Sequence, residues 1–144
     1  MDNLSSILII DDSLNFLKAI AVFIQEQFGN QIELLGAVQS GREGIRFARI
    51  YHPQLILVDL KMPDMDGFTV ITQLRSVLPN VNIIATTLLS PDDFELHRDI
   101  YRQECLQAGA DAFIPKYRLE NELASYWVKK IDPITSGMQN YRQN

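Results

Sequence analysis

The sequence predicts an α/β fold, a doubly wound five-stranded parallel sheet in (βα)5 order with its strands side by side as 2-1-3-4-5. Three observations predict it. Five short runs are apolar at nearly every position, as strands covered on both faces must be. The segments between and after them carry apolar residues at three-to-four spacing, the period of a helix. Polar residues able to do chemistry gather just after the first, third, fourth and fifth runs but not the second, which suits a sheet whose second strand is an edge.

The first strand is Ile7 to Ile10, and Phe16, Leu17, Ile20, Phe23, Ile24 and Phe28 mark the helix after it, which Gly29-Asn30 ends. The second strand runs from about Ile32 to Ala37. Ser40-Gly41 then opens a helix carrying Ile45, Ala48 and Tyr51, broken at His52-Pro53. The third strand, Leu55 to Val58, is wholly apolar. Gly67 precedes a helix with Ile71, Leu74 and Leu78 on one face, closed by Pro79-Asn80. After the fourth strand, Ile83 to Thr86, the series Ser90-Pro91-Asp92-Asp93 supplies a cap, a first-turn proline and first-turn acids, so a helix starts there. It carries Phe94, Tyr101, Cys105 and Ala108 and stops at Gly109. The fifth strand is Ala112 to Ile114, and the last helix presents Leu119, Leu123, Tyr126 and Trp127.

At 144 residues, with 47% hydrophobic and 22% charged, the chain holds one domain with a single core. Residues 1–131 are read as that domain. Residues 132–144, with Pro and Gly and no periodicity, are read as a tail or the start of a linker. A net charge of −5, with Lys129-Lys130 as the lone basic pair, argues against direct nucleic-acid binding. The lone cysteine, Cys105, reads as a small buried apolar residue and fits a reducing compartment. With no run of membrane-spanning length and no leader-like opening, the expected location is the cytoplasm.

Ligands of doubly wound sheets sit beyond the carboxyl ends of the strands. Those ends offer Asp11-Asp12, Asp59, Thr87 and Lys116, from four strands that the predicted order makes neighbours. Two unit charges about 4 Å apart at an effective dielectric near 20 repel by about 4 kcal/mol, so three carboxylates there call for a retained proton or a cation. Carboxylates with a carbonyl and waters suit Mg²⁺. A metal, a lysine and a hydroxyl are the parts that hold a phosphoryl group, and the central Asp59 would be the nucleophile.

Plainer roles are set beside these. One of Asp12 and Ser13 caps the first helix, but capping does not explain two adjacent acids. A calcium loop over Asp64-Met65-Asp66-Gly67 would need an acid in place of Met62 and a glutamate in place of Gln73. Asp64 and Asp66 therefore serve the turn, with Asp66 as a helix cap and Gly67 relieving the backbone. Thr86 competes with Thr87, because strand alternation leaves either possible. His52 and His97 are expected on the surface.

The chain resembles the receiver domain of bacterial two-component response regulators, a CheY-like, flavodoxin-like fold, from about Ser6 to Lys130. The carriers are Asp11-Asp12, the segment Asp59 to Gly67, Thr87, Ala108-Gly109-Ala110 and Lys116. The resemblance implies phosphoryl transfer from a sensor histidine kinase or phosphotransfer protein to Asp59. It implies Mg²⁺ held by Asp12, Asp59 and the Lys61 carbonyl, with Asp11 acting through water. It implies phosphoryl contacts from Thr87, preferred over Thr86, and from Lys116. Phe113 stands at the family's switch aromatic, coupled to Thr87, and the face of the fourth helix, fifth strand and fifth helix is where partners or a second copy would meet. Such a protein is a switch and not an enzyme beyond its own phosphorylation and dephosphorylation.

Three departures stand out. Leu88 occupies a place usually small, which would narrow access to Asp59. Tyr117 replaces the usual proline after Lys116. The stretch from Thr87 to Lys116 is longer than usual, as an extended loop or helix. Lys61 and Leu89, two residues after Asp59 and Thr87, would slow self-dephosphorylation. A phosphorylation-independent interaction module and the receiver part of a longer DNA-binding regulator are the alternatives. A phosphohydrolase would want a second acid where Lys61 or Ser13 stands.

Overall fold

The computed structural model describes residues 5–131. The chain runs β1 (Ser5–Ile10), α1 (Leu14–Phe28), β2 (Ile32–Val38), α2 (Gly41–Tyr51), β3 (Leu55–Asp59), α3 (Gly67–Val77), β4 (Asn82–Thr86), α4 (Pro91–Ala108), β5 (Ala112–Phe113) and α5 (Leu119–Tyr126). All strand pairs are parallel and the order is β2-β1-β3-β4-β5, as the apolar runs and strand ends predicted. The tail read at 132–144 lies outside the described residues.

Alternation along the strands sends neighbouring side chains to opposite faces of the sheet. Ile7, Ile9, Leu55, Leu57 and Ile84 pack under α1 and α5, against Leu17, Ile20, Ile24 and Trp127. Leu8, Ile10, Ile56, Val58, Ile83 and Ala85 pack against α2, α3 and α4. Each fully buried aliphatic side chain contributes about 1.5–3 kcal/mol, so the central strands dominate the stability.

Every long helix starts on a side-chain cap. Ser13, Ser40, Asp66 and Ser90 accept from the backbone N–H of Phe16, Glu43, Thr69 and Asp93, at 3.1 to 3.2 Å. Ser13 is thus the cap of α1, which leaves Asp12 free for other work. The segment after Thr87 resolves into a helix, and α4 ends on Gly109, whose φ of 118° only glycine adopts without strain.

Four details depart from the sequence reading. The chain leaves α1 through Gly29 in right-handed geometry (φ −56°), closed by the Gln31 N–H on the Phe28 carbonyl. Tyr51 is exposed and packs on Phe47, with ring centroids 4.4 Å apart. Leu78 lies beyond the last turn of α3. Strand β5 is only two residues long, and a 3₁₀ turn, Lys116–Arg118, leads into α5. No peptide bond among the described residues is cis.

At the amino end of the sheet, the Arg75 guanidinium donates to the carbonyls of Gly109, Pro79 and Val81 and to the Asp111 carboxylate. That carboxylate also accepts the Ile83 N–H at 2.8 Å, so one side chain ties α3 to β4 and to the turn before β5. Cys105 is fully buried and its thiol is pushed up to about 12 by burial, an inert core position as expected.

Candidate functional site

The strand ends do converge. Asp11 follows β1, Asp59 ends β3, and carboxylate oxygens of Asp11, Asp12 and Asp59 lie within 4.8 Å of one another. Asp11 and Asp59 are buried, whereas Asp12 is exposed. Asp11 is fixed from within its own turn, its Oδ1 accepting the Ser13 N–H at 2.8 Å. Its Oδ2 sits 2.8 Å from Lys116 Nζ, a contact that is an ion pair and not a well-directed hydrogen bond.

Lys116 reaches the same group from the far side of β4. Its ammonium lies 3.7 Å from Asp59 Oδ2 and 4.3 Å from the centroid of the Phe16 ring, with its side chain 13% exposed. The aromatic face favours the cation and limits where it can swing. The backbone N–H of Lys116 donates to the Thr87 carbonyl at 3.0 Å, so β4 sets the height of the lysine.

One cation among three carboxylates does not neutralise them. Burial first, then the charge of Asp11, pushes the Asp59 carboxyl up to about 6, against the opposing pull of Lys116 and of the Lys61 N–H. A divalent cation on the open side, next to Asp12, would relieve that repulsion. The three carboxylates form a group that could hold a metal ion.

The loop after Asp59 is held from several sides. Leu60 N–H donates to the Thr86 carbonyl, Lys61 N–H to Asp59 Oδ1, and Gly67 N–H to the Leu60 carbonyl. A Cβ on Gly67 would stand 2.4 Å from Leu60 Cα and 2.5 Å from the Asp59 carbonyl oxygen, so only glycine permits this approach. Asp66 caps α3, as expected. Asp64 does more than serve the turn, because its carboxylate accepts the N–H groups of Gly41 and Arg42 at 3.2 and 3.3 Å at the start of α2.

Both threonines are buried, and neither hydroxyl has a hydrogen-bond partner. Strand register separates them. Thr86 is the direct partner of Asp59, and in-strand alternation places it on the α1 and α5 side with Leu57, Asp59 and Ile84. Thr87 stands one residue past the strand end. Phe113 is half-buried and lies in an aromatic cluster, stacked on Tyr101 at 5.2 Å and 8° and 6.2 Å from Phe94. Leu88 is 74% exposed and lines, with Phe16, Lys116 and Tyr117, a cleft of about 450 Å³. His52 and His97 are on the surface, as expected.

The sequence pattern does not single out Phe16, which reads as part of the helical apolar stripe, although its place three residues after Ser13, on the first turn beyond the aspartates, is a usable signal. Between Thr86 and Thr87, both weighed from the sequence, only the pairing of β3 with β4 shows which one stands in register with Asp59.

The model of the response regulator receiver domain matches residues 7–127. The response regulator protein VraR of Staphylococcus aureus is 33% identical over 118 residues, a match covering 82% of this chain and 52% of VraR. The chain therefore spans about half the length of the curated relatives it matches. Among solved structures, the REC domain of AraT, a response regulator from Geobacillus stearothermophilus, superposes with a TM-score of 0.72 at 27% identity, covering 94% of this chain and 98% of that one. A CheY-like receiver domain protein from Methanospirillum hungatei gives a TM-score of 0.71 at 25% identity, with 94% and 99% covered.

Proposed function

Because the chain belongs to the response regulator receiver domain family, we propose that it is a phosphorylatable switch that takes a phosphoryl group on Asp59 from a phosphohistidine of a sensor kinase or phosphotransfer protein. The observation that carries this reading is the three-carboxylate group within 4.8 Å, with the Lys116 ammonium between Asp11 and Asp59. In the transfer, a carboxylate oxygen of Asp59 forms the new O–P bond as the P–N bond to the donor imidazole breaks.

Asp11, Asp12, Asp59 and the Lys61 carbonyl are the groups that would hold Mg²⁺, which when bound supplies charge neutralisation for the phosphoryl oxygens. Lys116 is already paired to a fixed carboxylate, so it can turn toward the added charge without being ordered anew. Register with Asp59 makes Thr86 our choice for the hydroxyl donor, in place of the Thr87 expected from the sequence. Neither Lys61 nor Ser13 supplies the second acid of a phosphohydrolase, so turnover is confined to the protein's own aspartyl phosphate.

No helix among the described residues is long and apolar enough to cross a membrane, and a cytoplasmic site of action fits a kinase-fed switch. The output would pass through the α4, β5 and α5 face. The half-length match favours the receiver part of a longer regulator.

The test is mass spectrometry after incubation with Mg²⁺ and acetyl phosphate. One added phosphoryl mass on the wild type and none on Asp59→Asn is expected. A wild-type protein that never gains that mass, with a small donor or a phosphorylated kinase, refutes the switch. The exposed Leu96 and Ile100 on α4 favour a second reading, a phosphorylation-independent interaction module. It predicts partner affinity unchanged by Asp59→Asn.

A further inference from the structure

We infer that Phe16 is a positioning residue for phosphoryl uptake, a role that rests on the receiver reading. The face of its ring holds the Lys116 ammonium over the carboxylates, and the electrons of that face, not the bulk of the side chain, set how fast Asp59 is phosphorylated.

The turn after β1 supplies both the counterion of the lysine and the ring. Asp11 Oδ1 accepts the Ser13 N–H at 2.8 Å, and Ser13 Oγ in turn accepts the Phe16 N–H at 3.2 Å. Asp11 and Phe16 are thereby fixed relative to each other within one turn of chain. The Lys116 N–H is fixed from the other side, on the Thr87 carbonyl at 3.0 Å. Between these anchors only the side chain of the lysine is left to turn.

Three groups face its ammonium. Asp11 Oδ2 lies at 2.8 Å, Asp59 Oδ2 at 3.7 Å and the centroid of the Phe16 ring at 4.3 Å. In place of the ring, a water would have to be displaced by the phosphoryl group, and a further carboxylate would add to the repulsion around Asp59. An aromatic face does neither. It attracts a cation through its quadrupole, carries no net charge, and holds a donor weakly enough to release it to an incoming phosphoryl oxygen.

Packing alone accounts poorly for the ring. Phe16 is half-buried at the margin of the α1 and α5 core, while Leu17 and Ile20 on the same helix are buried within it. It also lines the cleft that holds Leu88 and Tyr117. A leucine at this margin would serve the core as well and would leave the ammonium without an aromatic face.

The test is a series at position 16 of the full chain that changes the ring electrons with little change of shape. Phenylalanine, its monofluorinated and pentafluorinated forms, Phe16→Tyr and Phe16→Leu are compared by the rate of phosphoryl mass gain from acetyl phosphate at saturating Mg²⁺. Fluorine withdraws charge from the ring face, so the rate should fall stepwise along the fluorinated set. A loss of about threefold or more is expected for the pentafluorinated ring and for Phe16→Leu, with Phe16→Tyr within about twofold of the wild type. Before any phosphoryl group is added, the Lys116 side-chain protons should carry an upfield ring-current shift in the wild type and in Phe16→Tyr, absent from Phe16→Leu. The fluorinated rings, close in shape to the native one, keep the test open if Phe16→Leu melts early.

Equal rates throughout, rates that follow side-chain volume and ignore fluorination, a faster Phe16→Leu, or no ring-current shift in the wild type would overturn the role of the ring. A wild type that never gains the phosphoryl mass sinks the switch and this role with it. Normal uptake that ignores the series sinks only the role of Phe16.

Discussion

Helix α1 has 15 residues and buries Leu17, Ile20, Ile24 and Phe28, whereas α4 has 18 residues and buries only Phe94 and Cys105. The first is fastened along its length to the sheet, and its Phe16 braces the lysine of the site. The second is held mainly at its ends, by the Ser90 cap and by the Gly109 stop, with Tyr101 stacked on Phe113 between them. The contrast teaches where rigidity and freedom are needed. The layer that positions charge is welded to the core, and the layer that would signal is attached by few buried groups, which puts it at the low end of local stability.

The largest test of this contrast is Ile24→Ala, which empties a site 1% exposed under α1 and should cost about 2 to 5 kcal/mol in urea denaturation. A cost below about 1 kcal/mol would show that α1 is no better anchored than α4.

Asp59→Asn probes the charge layer by pH. The folded carboxyl is raised from 3.8 to about 6, so the stability linked to its protonated form is fully present below 3.8 and lost as pH rises through 6. Without Mg²⁺ the variant should match the wild type below pH 3.8 and exceed it by on the order of 1 to 3 kcal/mol above pH 6. Thermal melts across that range decide it.

Gly109→Ala forces a side chain into a φ of 118° and sets its Cβ 3.1 Å from Arg75 Cβ, a cost of about 1 to 3 kcal/mol. Ser90→Ala removes a cap worth about 1 kcal/mol. In hydrogen exchange it should speed the amides of α4 and leave those of α1 unchanged, and equal acceleration of both would erase the distinction. The smallest effect is expected at Leu96→Ala, 74% exposed, within about 0.5 kcal/mol.

Much of this was legible in the sequence, for reasons that particular residues make plain. Runs such as Leu55 to Val58 are apolar throughout because both faces are covered, and such runs read as parallel strands without any knowledge of their neighbours. Asp11, Asp59 and Lys116 were visible because strand ends mark the site in this architecture. What stayed hidden depends on distant pairing. Asp64 reads as a turn residue until the first residues of α2, more than 20 positions upstream, are seen to donate their N–H groups to its carboxylate. The choice between Thr86 and Thr87 turns on a register with Asp59 that neither strand encodes alone. The reach of Arg75 to Gly109 and Asp111 likewise belongs to the assembled fold.

Trp127 offers a last consequence. It is the sole tryptophan of the chain, is 1% exposed, and lies in the layer beneath α1 and α5. The protein thus carries its own optical gauge, mounted on one side only. Fluorescence would follow loosening of the charge-bearing layer and stay dark to a lifting of α4, so an unfolding curve read by indole emission and one read by far-ultraviolet dichroism need not coincide.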